Sequence, residues 1–340
     1  MMTKAFICGC ADLRLNEDER AFFEAERPWG LILFRRNVSE PAQVADLVAA
    51  FREAVGRADA PVLIDQEGGR VQRLKPPHWP DYPPGRHYGR LFAGDREAGE
   101  RAAWLGARLI AHDLHRLGID VDCLPVLDVP SAAGHAVIGD RAYGEDVDTV
   151  VTLASAAADG LMSGGVLPVA KHVPGHGRAA ADSHLELPRV LASAADLREL
   201  DFEPFRRLSA LPLAMTAHVV YTAFDEVNPA TTSKTVIAEV IRGAIGYDGC
   251  LMSDDLSMQA LAGALGERAR AAFAAGCDLA LHCNGDMAEM VDVAANTPEL
   301  AGEAARRTEA ALDARRDPGS LDEQAAREEF KALLAPVGAV

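Results

Sequence analysis

The stretch that decides the fold is a short apolar run that leads straight into a loop rich in histidine and glycine. Residues 166–184 read VLPVAKHVPGHGRAAADSH. The first five residues are typical of a buried strand, whereas Pro174 and the two glycines near it exclude a helix or strand from the rest of the stretch. A strand that ends in Lys171 and His172 and opens into such a loop is where an α/β enzyme places its chemistry.

Similar apolar runs recur at regular intervals along the chain. They are short and lack strict alternation, as is typical of parallel strands that are buried on both faces. The runs are residues 5–9, 30–34, 62–65, 121–124, 166–171, 213–218, 249–254 and 279–283. Segments with a helical period of about 3.6 residues lie between them, at 41–55, 97–117, 148–162, 195–208, 234–245 and 258–275. Ser39 and Ser233 are expected to be N-caps of two of these helices.

This alternation predicts a single (β/α)₈ TIM barrel. The alternative is a doubly wound open sheet, which is weakened because no GxGxxG follows the first strand. From about residue 299 onward the chain is rich in Ala, Glu and Arg, and closing helices are expected at 300–315 and 321–334. No linker precedes this tail, so residues 1–340 are predicted to form one catalytic domain.

Composition excludes several classes of protein. The net charge of −17 argues against nucleic acid or an anionic membrane as a partner, because both demand a basic face. No segment is long enough to span a bilayer, and the N-terminus lacks a secretory hydrophobic region. The six cysteines form no CxxC pair, which favours buried free thiols over disulfides or a zinc–thiolate site. The expected location is the cytoplasm.

Polar side chains concentrate where the predicted strands end, which is where a TIM barrel builds its active site. Desolvating so many ionisable groups is costly unless they pair or bind something. These residues are Asp65, Asp128, Lys171, His172, His218, Asp254, Asp255, His282 and Asn284.

Two pairs of residues are the first candidates for chemistry. The carboxylate of Asp254 could attack an anomeric carbon, bind a metal or cap the next helix, whereas Asp255 suits a cap or a buried pair with a cation. Asp182 could fix the tautomer of His184 and so make it a general acid–base near neutral pH. The alternative for this second pair is two solvated loop residues.

Other polar residues leave two interpretations open. Lys171 and His172 could donate hydrogen bonds to a ligand, or could form buried ion pairs with Asp128 or Asp65. Bidentate hydrogen bonds to hydroxyls or an amide carbonyl would suit Asp65, Arg73 and Arg141, but so would structural salt bridges. His176 lies between two glycines, and a supporting role is as plausible there as contact with substrate. His218 and Asp128 are expected to support the site from behind.

These motifs resemble the β-N-acetylhexosaminidases of glycoside hydrolase family three. Residues 171–177 followed by 182–184 are similar to that family's KHFPGHG…DSH signature, and residues 253–258 look like its nucleophile segment. Residues 31–34, 64–74 and 124–129 are similar to further family segments. The similar segments occur in the family's order from about residue 5 to residue 284, so the resemblance is specific.

The resemblance implies a retaining, exo-acting enzyme without cofactor or metal. It would remove terminal β-linked N-acetylglucosamine from peptidoglycan-derived muropeptides, such as N-acetylglucosaminyl-anhydromuramyl peptides, in cytoplasmic cell-wall recycling. It implies Asp254 as the nucleophile and His184 as the general acid/base, oriented by Asp182. The residues implied to hold the sugar are Asp65, Arg73, Arg141, Lys171 and His172.

Two departures from the family pattern stand out. Val173 occupies a position where Phe is usual, and residues 178–181 (RAAA) are expected to leave the loop without side chains to anchor it.

Three other hypotheses remain open from the sequence. The first is a metal-dependent hydrolase on the same barrel, weakened because the first strand lacks a His-x-His motif. Its ligands would come from His172, His176, His184, His218, His282 and Asp254. The second is phosphorolysis, because a histidine repels phosphate less than a carboxylate would. The third is a sugar-binding protein without turnover.

Overall fold

A closed barrel of parallel strands forms the centre of the molecule. The computed structural model describes residues 2–131, 137–179, 181–183 and 185–338. Within them the barrel strands are β1 (Lys4–Cys8), β2 (Pro28–Leu33), β3 (Val62–Ile64), β4 (Val121–Asp122), β5 (Leu167–Val173), β6 (Leu213–Thr216), β7 (Cys250–Asp255) and β8 (Leu279–His282). Each strand pairs with its neighbours in chain order, and β1 pairs with both β2 and β8. The predicted TIM barrel is confirmed, and the open-sheet alternative is wrong because the sheet closes on itself.

Alternate strand positions fill the inside of the barrel with apolar side chains. Ile7, Leu63, Val169 and Met252 belong to this inner cluster, whereas neighbouring positions such as Phe6 pack outward against the helices. The alternation follows from strand geometry, in which successive side chains point to opposite faces. The inside of the barrel is therefore a packed core, and the candidate site residues gather at its carboxyl end.

The helices surround this barrel. Their bounds are α1 (Glu17–Glu26), α2 (Pro41–Val55), α3 (Gly85–Gly94), α4 (Arg96–His115), α5 (Val147–Ser163), α6 (Ala194–Asp196), α7 (Glu203–Arg207), α8 (Leu265–Ala275), α9 (Met287–Ala295), α10 (Gly302–Asp313) and α11 (Glu323–Leu334). Two further segments, Leu197–Asp201 and Val236–Ala244, are π-helical. Two-stranded sheets lie outside the barrel, one formed by Gln66–Gly68 with Val71–Gln72 and one by Arg189–Val190 with Val220–Tyr221.

Several helix predictions need correction. The helix expected at 195–208 is divided into α6, the π-helical Leu197–Asp201 and α7. The helix expected from residue 258 begins only at Leu265, because the chain turns first after β7. Ser39 is not an N-cap: Glu40 holds that position, and the Ser39 hydroxyl donates to the side chain of Gln43. Ser233 does act as a cap, since its hydroxyl accepts the N–H of Val236 at 3.1 Å.

The predicted closing helices are present as α10 and α11, and α11 packs against α4. Arg101 of α4 donates to both oxygens of Glu329, and Phe330 contacts the ring of Tyr88 in α3. In the described part of the chain no helix combines the length and the apolar character that a membrane crossing requires.

Candidate active site

A network of side chains with alternating charges lies at the carboxyl ends of β3 and β5. Lys171 extends from β5, and its Nζ lies 2.8 Å from Oδ1 of Asp65 and 2.7 Å from Oε1 of Glu67. Arg73 donates to the other oxygen of Asp65 at 2.8 Å. Arg141 donates to both oxygens of Glu67, at 2.8 and 2.7 Å. Three cations and two carboxylates leave this buried network with one net positive charge.

The network keeps its members ionised. Burial would raise the pKa of Glu67, but Arg141 and Lys171 outweigh it and lower that pKa to about 2. The pKa of Asp65 also lies well below its usual range, because Lys171 and Arg73 outweigh burial. Burial would lower the pKa of Lys171, yet the two carboxylates raise it above its usual value. Lys171 therefore forms the buried ion pair with Asp65 that the sequence offered as one alternative. It also pairs with Glu67, which the sequence analysis did not name.

Next to this network, Asp128 holds His172. Nδ1 of His172 lies 2.7 Å from Oδ2 of Asp128, and Oδ1 accepts the backbone N–H groups of His172 and His176 at 3.2 and 2.6 Å. Burial would raise the pKa of Asp128, but His172 lowers it to about 2. With Nδ1 engaged, Nε2 is the nitrogen of His172 that remains for a ligand. The supporting role expected of Asp128 thus has a geometric basis.

The loop after β5 is tied down at its beginning. Tyr221 donates its hydroxyl to the carbonyl of Gly175 at 2.7 Å, and Nε2 of His176 lies 3.2 Å from the hydroxyl of Ser183. Burial, together with the nearby His172, lowers the pKa of His176 to about 4. A neutral His176 therefore links the two ends of the loop, which favours the supporting role over substrate contact.

Arg178 also anchors this loop, which corrects an expectation from the sequence. Its Nε donates to Oδ2 of Asp201 at 2.6 Å, and Asp201 is 1% exposed in a π-helical segment. Burial raises the pKa of Asp201 to about 6, although the bond from Arg178 opposes this. The expectation of an unanchored loop was wrong because the long side chain of Arg178 reaches past its small neighbours. Asp182 is half-buried, whereas His184 lies outside the described residues.

Asp254 lies at a break in the strand ladder. Met252 pairs with Leu279 and Asp255 with Leu281, so β7 has one residue more than β8 between these pairs. Such a bulge re-aims a side chain, here at the barrel mouth. The N–H of Asp255 donates to Oδ1 of Asp254 at 2.8 Å.

The surroundings of Asp254 keep its carboxylate ionised. Burial would raise its pKa, but His218, His172, the N–H of Asp255 and Lys171 outweigh burial and bring the pKa below the usual value. Asp254 cannot cap the following helix, since α8 begins at Leu265.

The side chain of Asp255 has different contacts. Its Oδ1 accepts the N–H groups of Ser257 and Cys283 at 3.0 and 3.1 Å, and Oδ2 accepts the Ser257 hydroxyl at 2.6 Å. Asp255 therefore caps the turn after β7. Of the two roles that the sequence offered for it, the cap is the one observed, although the capped element is a turn.

Three of the histidines that the metal hypothesis names have other partners. His172 binds Asp128, His176 binds Ser183, and His218 binds Thr231 through Nδ1 at 2.7 Å and the carbonyl of Asp255 through Nε2 at 2.9 Å. Among the described residues, which do not include His184, no three His, Cys, Asp or Glu side chains are grouped as a metal requires. The metal hypothesis gains no support here.

Two features of the site escaped sequence reasoning. Glu67 follows Asp65 by two residues, and the period of an extended chain would have placed both carboxylates on one side. The hydroxyls of Thr216 and Thr231, 2.7 Å apart, have no such signal, because threonine is common in strands and turns.

Comparisons with known proteins identify the family of this chain. The model of the glycosyl hydrolase family 3 N-terminal domain matches residues 5–315. A beta-hexosaminidase from Alkalilimnicola ehrlichii is 42% identical over 291 residues, which cover 84% of this chain and 82% of the relative.

Solved structures that resemble this chain include two enzymes of the same kind. NagZ from Neisseria gonorrhoeae, in complex with N-trifluoroacetyl-D-glucosamine, has a TM-score of 0.83 at 32% identity, over 99% of this chain and 97% of its own. A family 3 beta-N-acetylglucosaminidase from Paenibacillus sp. str. FPU-7 has a TM-score of 0.78 at 33% identity, over 99% of this chain and 62% of its own. The chain belongs to glycosyl hydrolase family 3, as a glycoside hydrolase of the β-N-acetylhexosaminidase type.

Proposed function

We propose that the chain is a retaining, exo-acting β-N-acetylglucosaminidase. Its substrates would be N-acetylglucosaminyl-anhydromuramyl peptides or related muropeptides from peptidoglycan, cleaved in the cytoplasm during cell-wall recycling. Two relatives support the N-acetylglucosamine specificity, because the Neisseria protein binds N-trifluoroacetyl-D-glucosamine and the Paenibacillus protein is a beta-N-acetylglucosaminidase. The muropeptide source and the location rest on the motif resemblance alone.

The observation that carries the proposal is the ionised carboxylate of Asp254 at the barrel mouth. Its Oδ1 is held by the N–H of Asp255, which leaves Oδ2 as the attacking oxygen. Oδ2 forms a bond to the anomeric carbon while the bond from that carbon to the leaving oxygen breaks. His184 gives its proton to the leaving oxygen. The product of this step is a covalent glycosyl-Asp254.

The second step returns the enzyme to its starting state. Neutral His184 takes a proton from water, and the water oxygen bonds to the anomeric carbon as the bond to Asp254 breaks. Two inversions at that carbon give net retention. The role of His184 and its orientation by Asp182 rest on the Asp-Ser-His motif.

The proposed sugar-holding residues are already ordered before the sugar arrives. Lys171, Arg73 and Arg141 present donors, and Asp65 presents acceptor oxygens, all held by mutual ion pairs. Nε2 of His172 faces no competing partner within the described residues, since Asp128 binds Nδ1. Fixed donors and acceptors side by side suit a pyranose, whose hydroxyls act as both.

Trapping the covalent intermediate tests the proposal. A fluorinated N-acetylglucosaminide should label Asp254, and Asp254→Ala should lower the cleavage of an aryl N-acetylglucosaminide by about 10⁴-fold or more. Asp286→Asn is the matched control, since Asp286 caps α9 through the N–H of Glu289 at 3.0 Å and has no part in the reaction.

Labelling at another residue, or full activity of Asp254→Ala, would refute the assignment. The same reaction run in phosphate buffer distinguishes hydrolysis from phosphorolysis: we expect free N-acetylglucosamine and no sugar 1-phosphate.

A further inference from the structure

We propose that Thr216 and Thr231 are positioning residues for the nucleophile. Together with His218 they form a ring of hydrogen bonds that begins at the backbone N–H of Asp254 and ends at the backbone carbonyl of Asp255. The inference rests on the proposed function, in which Asp254 is the nucleophile.

The ring begins where the barrel ladder ends. Strands β6 and β7 pair in register from Leu213 with Cys250 to Met215 with Met252. Beyond the last pair, the N–H of Asp254 donates to the hydroxyl oxygen of Thr216 at 3.3 Å. The hydroxyl of Thr216 thus takes the place of a backbone carbonyl as the acceptor for the N–H of Asp254.

The remaining contacts close the ring. The hydroxyl oxygens of Thr216 and Thr231 are 2.7 Å apart, and Oγ1 of Thr231 lies 2.7 Å from Nδ1 of His218. Nε2 of His218 lies 2.9 Å from the carbonyl oxygen of Asp255. These side chains therefore connect the two ends of the Asp254–Asp255 dipeptide.

The ring has a single direction when His218 is neutral. A carbonyl only accepts, so Nε2 of His218 must carry the proton that it donates to Asp255. Burial lowers the pKa of His218, and neutral Nδ1 then accepts the hydroxyl proton of Thr231. Thr231 in turn accepts from Thr216, whose lone pair accepts the N–H of Asp254. The hydroxyl of Thr231 also lies 3.3 Å from the carbonyl oxygen of Ala217, which is farther than the 2.7 Å to Nδ1 of His218. With the shorter contact made, every donor of the ring has an acceptor and no polar atom of the ring is left unsatisfied.

Burial makes this arrangement rigid. Thr216, Thr231 and His218 are all 0% exposed, so water does not compete for their hydrogen bonds. The N–H of Asp255, which belongs to the same dipeptide, holds Oδ1 of Asp254 at 2.8 Å. Fixing the backbone of Asp254 and Asp255 therefore fixes the direction of the attacking oxygen. Small errors in that direction slow the chemical step more than they weaken sugar binding.

Substitutions that remove only a hydroxyl test the ring. The measurement is the first-order rate of adduct formation at Asp254 with the fluorinated N-acetylglucosaminide, together with the sugar concentration at half-saturation. Thr231→Val keeps the volume but breaks the ring, and should lower the rate about tenfold with half-saturation changed less than about twofold. Thr231→Ser keeps the hydroxyl and should restore the rate to within about twofold of the wild type.

A control separates positioning from loss of stability. Thr308→Val also removes a buried hydroxyl, which donates to the carbonyls of Ala304 and Ala305 within α10. It should lower the melting temperature to a similar extent and leave the labelling rate unchanged.

The remaining outcomes refute either the positioning ring or the proposed function. A wild-type rate in Thr231→Val, or equal losses in Thr231→Val and Thr231→Ser, overturns the positioning ring. If Thr231→Val does not fold, Thr216→Val against Thr216→Ser gives the same comparison with the same criteria. If the wild type forms no adduct at Asp254, the proposed function itself fails, whereas a labelled wild type with an unaffected Thr231→Val refutes the ring alone.

Discussion

The ammonium nitrogen of Lys171 lies 2.7 Å from a carboxylate oxygen of Glu67, and the lysine is only 2% exposed. A buried ion pair offsets its desolvation only when both partners have further hydrogen bonds. Both do: Lys171 also binds Asp65, and Glu67 also binds Arg141. Because Lys171, Asp65 and Arg141 are proposed to hold the sugar, the stability of the barrel mouth and the shape of the sugar pocket depend on the same contacts.

The first prediction concerns stability and pH. The pKa of Glu67 falls from its usual 4.5 to about 2, because Arg141 and Lys171 outweigh burial. A lowered carboxyl pKa contributes stability that is present above pH 4.5 and lost as the pH falls toward 2. Glu67→Gln should therefore lower the free energy of unfolding by about 3 kcal/mol at neutral pH, and this deficit should shrink below about pH 5. Urea unfolding at several pH values measures it.

The control for that prediction is an exposed pair of the same type. Glu329 lies 2.7 Å from Arg101, and the side chains of both are nearly half exposed. Glu329→Gln should change the free energy of unfolding by less than about 1 kcal/mol. A Glu67→Gln deficit that does not vary with pH would contradict the linkage.

The second prediction concerns the pH dependence of the first chemical step. The pKa of Asp254 is lowered, since its neighbours outweigh burial, so its carboxylate stays ionised at every pH above the usual 3.8. An activated fluorinated sugar needs little help from an acid. Its rate of adduct formation should therefore be constant from about pH 5 to about pH 8. A rate that falls toward pH 5 would mean that the nucleophile titrates in that range.

The third prediction tests the general acid. His184→Ala should slow cleavage of a natural disaccharide by about 10²-fold or more, because its leaving group needs protonation. An activated aryl glycoside should lose much less in the same variant, since its leaving group departs without a proton. Steady-state kinetics on both substrates make the comparison. Equal losses would show that His184 is not the acid.

The fourth prediction tests the anchor of the loop. Arg178→Gln leaves Asp201 buried without its counter-ion and frees the beginning of the loop. The backbone amides of His176 and Ala179, bonded to Asp128 and to the carbonyl of His176, should exchange with deuterium about tenfold faster.

A surface ion pair provides the comparison for the loop anchor. Arg207 pairs with the exposed Asp148. Arg207→Gln should therefore leave the exchange of both loop amides unchanged. Unaltered exchange in Arg178→Gln would mean that the remaining contacts suffice to hold the loop.

The fold was largely predictable because eight buried strands leave eight apolar runs. Helices were less predictable where burial is one-sided or where the chain is charged. The residues of α1 read EDERAFFEAE, and only the capping box of Asn16 with Glu19 marks its beginning. The segment at 195–208 has helical periodicity, but it contains the π-helical Leu197–Asp201, and Pro204 lies in the first turn of the short α7 that follows.

The site was predictable in its location and less so in its contacts. Strand ends alone indicated that Asp254 and Lys171 lie at the barrel mouth. The ion pair of Lys171 with Glu67 and the pair of Arg178 with Asp201 join residues from separate elements. Pairings of this kind depend on how far side chains reach between elements, and the two-residue spacing of Asp65 and Glu67 is the local pattern that bears on them. His184, on which the acid step depends, is supported by its motif alone.

The bulge in β7 has a consequence for any redesign of this enzyme. Asp254 and Asp255 are chemically identical neighbours, and the strand register alone decides which of them faces the barrel mouth. Deleting one residue upstream in β7 would exchange their directions. The mouth would then still contain an aspartate, but that residue would be Asp255, whose carboxylate now accepts the N–H groups of Ser257 and Cys283 and would lose them. Grafting this site onto another barrel therefore requires copying the extra residue and both flanking strands, since transferring the side chains alone would not reproduce it.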